Sequence, residues 1–169
     1  MAELKQIVEA LLFAAPSPLT VDRIKDVVET DGAAIREAIE TLRKEYDETG
    51  RAFEIVELAG GYQALTRPDH AEAVQKMHAA RADQKPSPAA LDTLAIVAYK
   101  QPITRAEIEA IRGVQSGEIL RGLMDRGLVR TTGRADTPGS PLLYATTRQF
   151  LEATGIARIQ DLPKPEELK

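Results

Sequence analysis

The sequence contains no cysteine and no tryptophan, and only three of its 169 residues are phenylalanine. A chain without cysteine can form neither a disulfide nor a thiolate metal site, and so few aromatic residues leave a core that has to be mainly aliphatic. Hydrophobic residues make up 43% of the chain and charged residues 28%, which is typical of a globular protein. The length predicts one domain or two small ones.

Long apolar runs are also missing. No uninterrupted apolar run reaches the roughly 20 residues that a membrane-spanning helix requires, and Glu3, Lys5 and Glu9 interrupt the first apolar segment. No secretory signal pattern is present. The expected location is therefore the cytoplasm.

The net charge of −4 is distributed unevenly. Residues 1–84 contain 10 Lys and Arg against 16 Asp and Glu, whereas residues 85–169 contain 12 against 10. Because duplex binding depends on neutralising phosphates, the acidic first half is a poor candidate for broad nucleic-acid contact. The mildly basic second half leaves that question open.

The common motifs of enzyme sites are absent too: there is no phosphate-binding loop, no GxGxxG and no cluster of metal-ligating residues. The two histidines, His70 and His78, lie among charged residues and are expected at the surface. Glu107 and Glu109 are two residues apart on a predicted helix, so their carboxylates point in different directions and do not form a pair. The sequence predicts no enzyme, no cofactor and no metal.

Residues 89–113 are the most informative stretch, because nine of the first eleven are apolar. They predict a helix with one regular apolar face and further apolar residues around the cylinder, which indicates burial on more than one side. Ser87 and Pro88 are suited to start this helix, and Pro102 to end it. The regular face comprises Leu91, Leu94, Ala95 and Ala98, and the further apolar residues are Ile96, Val97 and Tyr99.

A second helix is predicted to start at Thr104, which forms a capping box with Glu107. Ile103 and Ile108 stand where a hydrophobic staple places its two residues. Three short helices followed by a strand pair is the order of elements in a winged helix. The remaining predicted boundaries are Gly113 as the end of the second helix, Ser116 and Gly127 as the cap and end of a third, and strands at 128–133 and 142–146.

The first half repeats this pattern at an offset of 84 residues, which aligns Pro18-Leu19-Thr20 with Pro102-Ile103-Thr104. Thr20 and Asp31 are predicted helix caps, and Gly60-Gly61 is the predicted centre of a tight hairpin between 53–58 and 62–66. A helix at 68–78 closes this half. The predicted core face of the third helix is Ile35, Ala38, Ile39 and Leu42. The offset matches Ile7 with Leu91, Leu12 with Ile96, Ile24 with Ile108, Val27 with Ile111, Ile35 with Ile119, and Ile39 with Leu123.

Together these patterns predict a mainly α protein with small β-hairpins, an α+β fold of two tandem winged-helix domains. The first domain is predicted at 1–81 and the second at 89–160. A polar, proline-containing linker at 82–88 joins them, and residues 161–169 form a tail.

Several segments also carry a specific resemblance. They are LDTLAIVAYKQPITRAEIEAIRGV, LRGLMDRGLV, Gly133-Arg134 and PLLYATTRQFL in the second half, and EALLFAAPSPLT and GGYQALT in the first. Through them the chain resembles the segregation and condensation protein B family over nearly its whole length. It departs from the family pattern at Ser140, Ala145 and Thr154, where arginine, glycine and an aromatic residue are usual. Without the usual arginine at position 140, the second wing is less suited to binding an acidic partner.

The resemblance implies a non-enzymatic adaptor for chromosome condensation and partition during cell division. It implies a homodimer formed mainly through the first domains. It also implies that the chain binds the central region of a kleisin, segregation and condensation protein A (ScpA), in a complex with the SMC ATPase at the nucleoid.

The candidate kleisin contacts lie in the second domain and include Tyr and Arg, the residue types enriched at binding hot spots. The alternative interpretation makes Tyr99 a core residue, Pro102 a helix stop and the arginines solvated. Arg112 is equally suited to neutralising carbonyls at its own helix end. The candidate contacts are Tyr99, Gln101, Pro102, Arg105, Arg112 and Tyr144.

The alternative function is a DNA-binding transcriptional regulator, since the third helix of a winged helix can enter the major groove. Both third helices balance their basic residues with carboxylates, and neither contains Asn or Gln for reading adenine. Four arginines remain suited to weak, nonspecific DNA contact: Arg121, Arg126, Arg130 and Arg134.

Overall fold

The computed structural model of the chain describes residues 2–77 and 86–164. Contacts between Cα atoms divide the chain into two compact units, Met1–Asp83 with Gly155–Arg158, and Gln84–Thr154 with Ile159–Lys169. The predicted linker lies partly outside the described residues, as do His78 and the end of the tail. Pro88, its last predicted residue, already belongs to a helix.

The first unit has three helices, an antiparallel hairpin and a short closing helix. Their bounds are α1 Ala2–Ala14, α2 Val21–Val28, α3 Gly32–Glu48, β1 Phe53–Leu58, β2 Gly61–Thr66, a 3-10 turn Pro68–His70 and α4 Ala71–Met77. The core lies where α1 and α2 pack on α3 and the hairpin. It is aliphatic, as the composition predicts, with Val8, Leu12, Ile24, Ile39 and Ile55 among its buried residues.

The predicted start and core face of α3 are confirmed. Asp31 Oδ1 accepts hydrogen bonds from the amides of Ala33 and Ala34 at 2.7 and 3.0 Å. The hydrogen bonds from Ala34 and Ala33 lower the pKa of Asp31. All four residues of the predicted face, Ile35, Ala38, Ile39 and Leu42, are buried.

The hairpin turn lies one residue earlier than predicted. Ala59 and Gly60 occupy its central positions with φ values of 49° and 73°, and Gly61 pairs with Leu58 as the first residue of β2. Ala59 adopts a left-handed conformation that favours glycine, which is why the glycine pair misplaces the turn. Gly61 has a different role, because a Cβ there would lie 2.6 Å from the carbonyl oxygen of Leu19.

The second unit repeats the arrangement and adds a short strand. Its bounds are α5 Pro88–Lys100, β3 Ile103–Thr104, α6 Arg105–Arg112, α7 Gly117–Asp125, β4 Val129–Arg134, β5 Leu142–Thr146, α8 Arg148–Thr154 and a 3-10 turn Ile159–Asp161. The sheet order is β3-β5-β4, and Ile103 pairs with Tyr144. The strand β3 is not predicted from the sequence. Leu19 and Tyr62 form an equivalent isolated bridge in the first unit, so the repeat extends to strand pairing, and both units have a winged-helix-like fold.

The capping box at α6 is confirmed. Thr104 Oγ1 accepts from the Glu107 amide at 3.3 Å, and Glu107 Oε2 accepts from the hydroxyl and amide of Thr104 at 2.6 and 2.8 Å. These two bonds from Thr104 lower the pKa of Glu107. Gly113 ends the helix as predicted, with φ 73°.

Ser116 is the N-cap residue of α7, as predicted, but its side chain makes no capping hydrogen bond. Its Oγ instead accepts from Arg112 Nη1 at 2.9 Å and donates to the Val114 carbonyl at 3.3 Å. The amide of Ser116 donates to Glu109 Oε1 at 2.8 Å. A carboxylate from α6 therefore holds the start of α7.

The buried face of α5 also differs from the prediction. The hydroxyl of the fully buried Thr93 donates to the Ala89 carbonyl at 2.8 Å, so a polar residue occupies a core position. The observed buried face is therefore rotated about the helix axis relative to the predicted one. The single chain buries only this one side of the helix. The buried residues are Thr93, Leu94, Val97 and Ala98, whereas Leu91, Ala95 and Tyr99 are exposed.

Candidate partner-binding surfaces

Tyr99 lies at the surface, in a groove at the C-terminal end of α5. Ala98, Tyr99 and Gln101 form one wall, and residues within 159–164 form the other, around a volume of 340 Å³. The Tyr99 side chain is 38% exposed, and its hydroxyl donates to the Pro163 carbonyl at 2.6 Å. We call this the Tyr99 groove. Its exposure excludes the interpretation of Tyr99 as a core residue of this chain.

An exposed apolar stripe runs along α5 to the Tyr99 groove. Leu91, Ala95 and Tyr99 follow one another at i, i+4 and i+8, a spacing that places them on one helix face. Leu91 is 51% exposed. Exposed apolar residues grouped on one helix face indicate an interaction site more than isolated ones do. We call these three residues the α5 stripe.

A second, more polar groove of 440 Å³ lies at the start of α7. Arg105 Nε donates to Glu109 Oε1 at 2.7 Å, the oxygen that also holds α7. Hydrogen bonds from the Ser116 amide and from Arg105 lower the pKa of Glu109. The groove, which we call the Arg105 groove, is lined by Arg105, Gln115, Gly117, Glu118, Ile119 and Arg121.

Gly117 leaves space for the Arg105 side chain. A Cβ at position 117 would be 2.8 Å from Nη1 and 2.9 Å from Cζ of Arg105. The Arg105 guanidinium therefore packs against the backbone of Gly117, in space that a side chain at position 117 would occupy. Half of the Arg105 side chain stays exposed although its Nε is paired with Glu109, and Arg121 adds a second guanidinium to a lining that also contains Glu118.

Gln101 joins the end of α5 to β5. Its Oε1 accepts hydrogen bonds from the amide and hydroxyl of Thr146 at 2.8 and 3.0 Å, and its Nε2 donates to the Ala98 carbonyl at 3.2 Å. These bonds give Gln101 a structural role at the wall of the Tyr99 groove.

The remaining candidate contacts are spread over the same unit. Pro102 is exposed between α5 and β3, and the Gln101–Pro102 peptide bond is cis. Arg112 is half-buried beside Ser116, to which it donates. Tyr144 is half-buried on β5 opposite Ile103. The structure thus brings Tyr99 and Gln101 together in one groove and places Arg105 in another.

The four arginines suited to DNA contact are all exposed but lie on different elements. Arg121 lines the Arg105 groove, and Arg126 follows the last residue of α7. Arg130 and Arg134 lie on β4, and Arg134 Nη1 donates to the Ser140 carbonyl at 2.8 Å near the wing tip.

The first unit carries an apolar groove that sequence reasoning misses. Its volume is 540 Å³, and Phe13, Phe53 and Leu65 contribute exposed apolar side chains to its lining. Phe13 is 86% exposed. The sequence signal is its position directly after the core residue Leu12, because successive helical residues point to different faces. We call this surface the Phe13 groove.

A buried tyrosine supports the floor of the Phe13 groove. The Tyr46 hydroxyl donates to Glu9 Oε1 at 2.7 Å, and its ring packs edge-on against Phe53 with the centroids 5.0 Å apart. Burial, followed by the hydrogen bond to Glu9, raises the pKa of Tyr46. The groove therefore has exposed apolar side chains at its rim, and the hydrogen bond between Tyr46 and Glu9 holds the tyrosine in place beneath them.

Among the residues that the structure describes, no group of three or more His, Asp or Glu side chains is arranged to hold a metal ion. Each helix within 2–77 and 86–164 is too short or too polar to cross a membrane.

Comparison with known proteins identifies the family. The family model for segregation and condensation complex subunit ScpB matches residues 6–165. The chain belongs to this family. The segregation and condensation protein B of Syntrophotalea carbinolica is 48% identical over 165 residues, which are 98% of this chain and 83% of that protein. The resemblance predicted from the sequence is thereby confirmed.

Two solved ScpB structures are also similar to this chain. ScpB from Mycobacterium tuberculosis is 34% identical, the match covers 92% of this chain and 96% of that one, and the TM-score is 0.44. A dimer of the ScpB N-terminal domain complexed with ScpA peptide is also 34% identical, over 45% of this chain and 95% of that one, with a TM-score of 0.42.

Proposed function

We propose that the chain is a non-enzymatic, dimeric adaptor that binds the central region of the kleisin ScpA and, through it, serves the SMC ATPase in chromosome condensation and partition in the cytoplasm. The observation that carries the proposal is the family match over residues 6–165. The family resemblance implies both the dimer and the kleisin partner. No catalytic role is proposed for the chain itself.

The Phe13 groove is the proposed dimer surface. It is the largest of the three grooves described above, and its rim exposes two phenylalanines in a chain that has only three. Aromatic residues are enriched in protein interfaces, and covering Phe13 with a second copy would remove a large apolar side chain from water. The proposal agrees with dimerisation through the first domain.

The α5 stripe and the two grooves of the second unit are the proposed kleisin surface. The stripe supplies apolar area, the Tyr99 groove an aromatic anchor, and the Arg105 groove two guanidinium groups that suit carboxylates. An extended or helical segment with apolar residues and some acidic ones fits this combination.

The test is a calorimetric titration with the central fragment of the kleisin from the same organism. We expect saturable binding at micromolar or tighter affinity. Replacing both Tyr99 and Arg105 by Ala should weaken binding roughly 30-fold or more, as the loss of hot-spot residues does. The circular-dichroism melt should change little, since both side chains are partly exposed.

Arg36→Ala, which removes an exposed arginine from the first unit, is the matched control and should bind normally. A collapse of the melt in the Tyr99 and Arg105 variant would mean that these residues are structural. Wild-type-like binding by that variant would place the kleisin surface elsewhere.

The absence of any complex at moderate salt would favour the alternative function, a winged-helix DNA-binding regulator. Four exposed arginines on α7, its C-terminal end and β4 support that alternative. Fluorescence anisotropy with duplex DNA would then test Arg121, Arg126, Arg130 and Arg134 by substitution with Ala.

A further inference from the structure

The C-terminal segment Ile159–Lys164, which we call the strap, forms one wall of the Tyr99 groove. The amide of Leu162 donates to the Ile159 carbonyl at 3.3 Å, which closes a tight turn at the start of the strap. The Pro163 carbonyl accepts from the Tyr99 hydroxyl at 2.6 Å. The strap thus reaches the end of α5 through a hydrogen bond to a side chain that is itself part of the α5 stripe.

The strap covers only the last residue of that stripe. Leu91 lies two helical turns away from Tyr99 and is not part of the groove that the strap forms. The strap presents half-buried Ile159 and Leu162 beside Pro163. The structure therefore already places a short segment with two aliphatic residues and a proline at one end of the stripe and leaves the other end open.

We propose that the strap is a tethered competitor of the kleisin segment, which has to displace it in order to lie along the whole α5 stripe. The inference rests on the proposed kleisin binding. A tethered segment acts at high effective concentration, and a surface that is only partly vacant binds with correspondingly reduced apparent affinity. Loosening the strap without damaging the stripe should therefore strengthen binding.

Tyr99→Phe is the most direct test, because it removes the hydroxyl that donates to Pro163 and keeps the ring. We expect it to bind the kleisin central fragment about fivefold more tightly than the wild type, the effect of losing one such hydrogen bond from the competing state. Leu162→Ser, which weakens the apolar contact of the strap, should act in the same direction. Two substitutions in the first unit are controls and should bind like the wild type: Tyr62→Phe, which makes the same change, and Met77→Ser, which also replaces an apolar side chain by serine.

Hydrogen exchange of the wild-type protein gives an independent measurement. Saturation with the fragment should protect peptides that contain residues 91–99 and should accelerate exchange in peptides that contain residues 159–164. The melt of each variant is recorded, so that unfolding is not mistaken for release of the strap.

The outcomes separate the two proposals. If the wild type binds, but Tyr99→Phe and Leu162→Ser bind equally or more weakly while the strap stays protected, the strap is part of the binding site and the competitor inference is wrong. If neither the wild type nor the variants bind, the proposed function fails and the inference fails with it.

Discussion

The carboxylate of Glu109 joins two parts of the second unit through one oxygen atom. That oxygen accepts from the Ser116 amide at 2.8 Å and from Arg105 Nε at 2.7 Å. The first bond replaces the side-chain cap that Ser116 does not provide, and the second fixes the guanidinium of the Arg105 groove. Both bonds favour the ionised carboxylate, which is why the pKa of Glu109 is lowered.

The lowered pKa predicts an acid-sensitive contribution to stability. The unfolded chain takes up a proton at Glu109 more readily than the folded chain does, so the contribution is complete above the ordinary pKa of 4.5 and is lost as the pH falls through the lower native pKa. Glu109→Gln keeps an oxygen acceptor but no charge. The free energy of unfolding, measured in urea at several pH values, should be lower than in the wild type at neutral pH and should depend less on pH below about 4.5.

Asp136→Asn, which neutralises an exposed carboxylate near the second wing tip, is the control and should follow the wild-type curve. A Glu109→Gln curve parallel to that of the wild type would show that the two hydrogen bonds do not depend on the charge.

Among the elements, the first hairpin depends on one close approach. Gly61 sits beside the loop between α1 and α2, where Leu19 and Tyr62 exchange backbone hydrogen bonds of 2.9 and 2.8 Å. A Cβ at position 61 would meet the Leu19 carbonyl, which is backbone and cannot rotate away. Gly61→Ala should lower the free energy of unfolding by about 2 kcal/mol, the cost of an overpacked contact.

Gly122→Ala, a substitution within a helix, is expected to change the free energy of unfolding in the opposite direction. Gly122 lies inside α7, and apart from its chain neighbours and the backbone of its own helix, no atom would lie within 4 Å of an added Cβ. This substitution should stabilise the protein by about 1 kcal/mol, because alanine is the better helix former. Equal effects of the two substitutions in urea unfolding would contradict the role of Leu19 as the obstacle.

Helices α3 and α5 show what the sequence can predict. In α3 the cap Asp31 and four regularly spaced aliphatic residues contrast with charged neighbours, so the buried face follows directly from the period. In α5 nearly every residue is apolar, so the sequence has no polar face that would define the buried face by contrast. The decisive residue is Thr93, whose hydroxyl is satisfied by a carbonyl of its own helix. A polarity pattern cannot anticipate that.

The candidate site is predictable only in part for a related reason. Residue type identifies Tyr99 and Arg105, but the Tyr99 groove needs a segment 64 residues further along the chain. The Arg105 groove needs a glycine whose role is to leave space. Neither long-range contact nor empty space leaves a local pattern in the sequence.

Across the whole chain, the 84-residue repeat relates exposed residues as well as core residues. Ile24 and Ile108 are both buried, whereas Val27 and Ile111, matched by the same offset, are both exposed. Core packing accounts for the first pair only. The second pair shows that the repeat also extends to apolar residues at the surface.

The proposed dimer can be tested on the intact chain. Light scattering should give about twice the chain mass of 18.4 kDa. Phe13→Ser should shift the mass toward that of the single chain, because it removes the most exposed apolar side chain of the Phe13 groove. The side chain is 86% exposed in the single chain, so folding of the protomer should be little affected.

Met77→Ser removes a side chain that is 72% exposed on α4, outside the groove, and should leave the dimer intact. Dissociation by both substitutions would indicate a broader interface than the groove. An unchanged mass for Phe13→Ser would move the dimer surface to another part of the chain.

The contact between Gly117 and Arg105 has a consequence for how relatives of this chain diverge. A mutation that gives position 117 a side chain forces the end of the Arg105 side chain to move, while its Nε can stay bonded to Glu109. Selection on Arg105 therefore also acts on Gly117, which has no functional group of its own. Across descendants of this sequence, position 117 is expected to keep a small residue wherever position 105 is arginine.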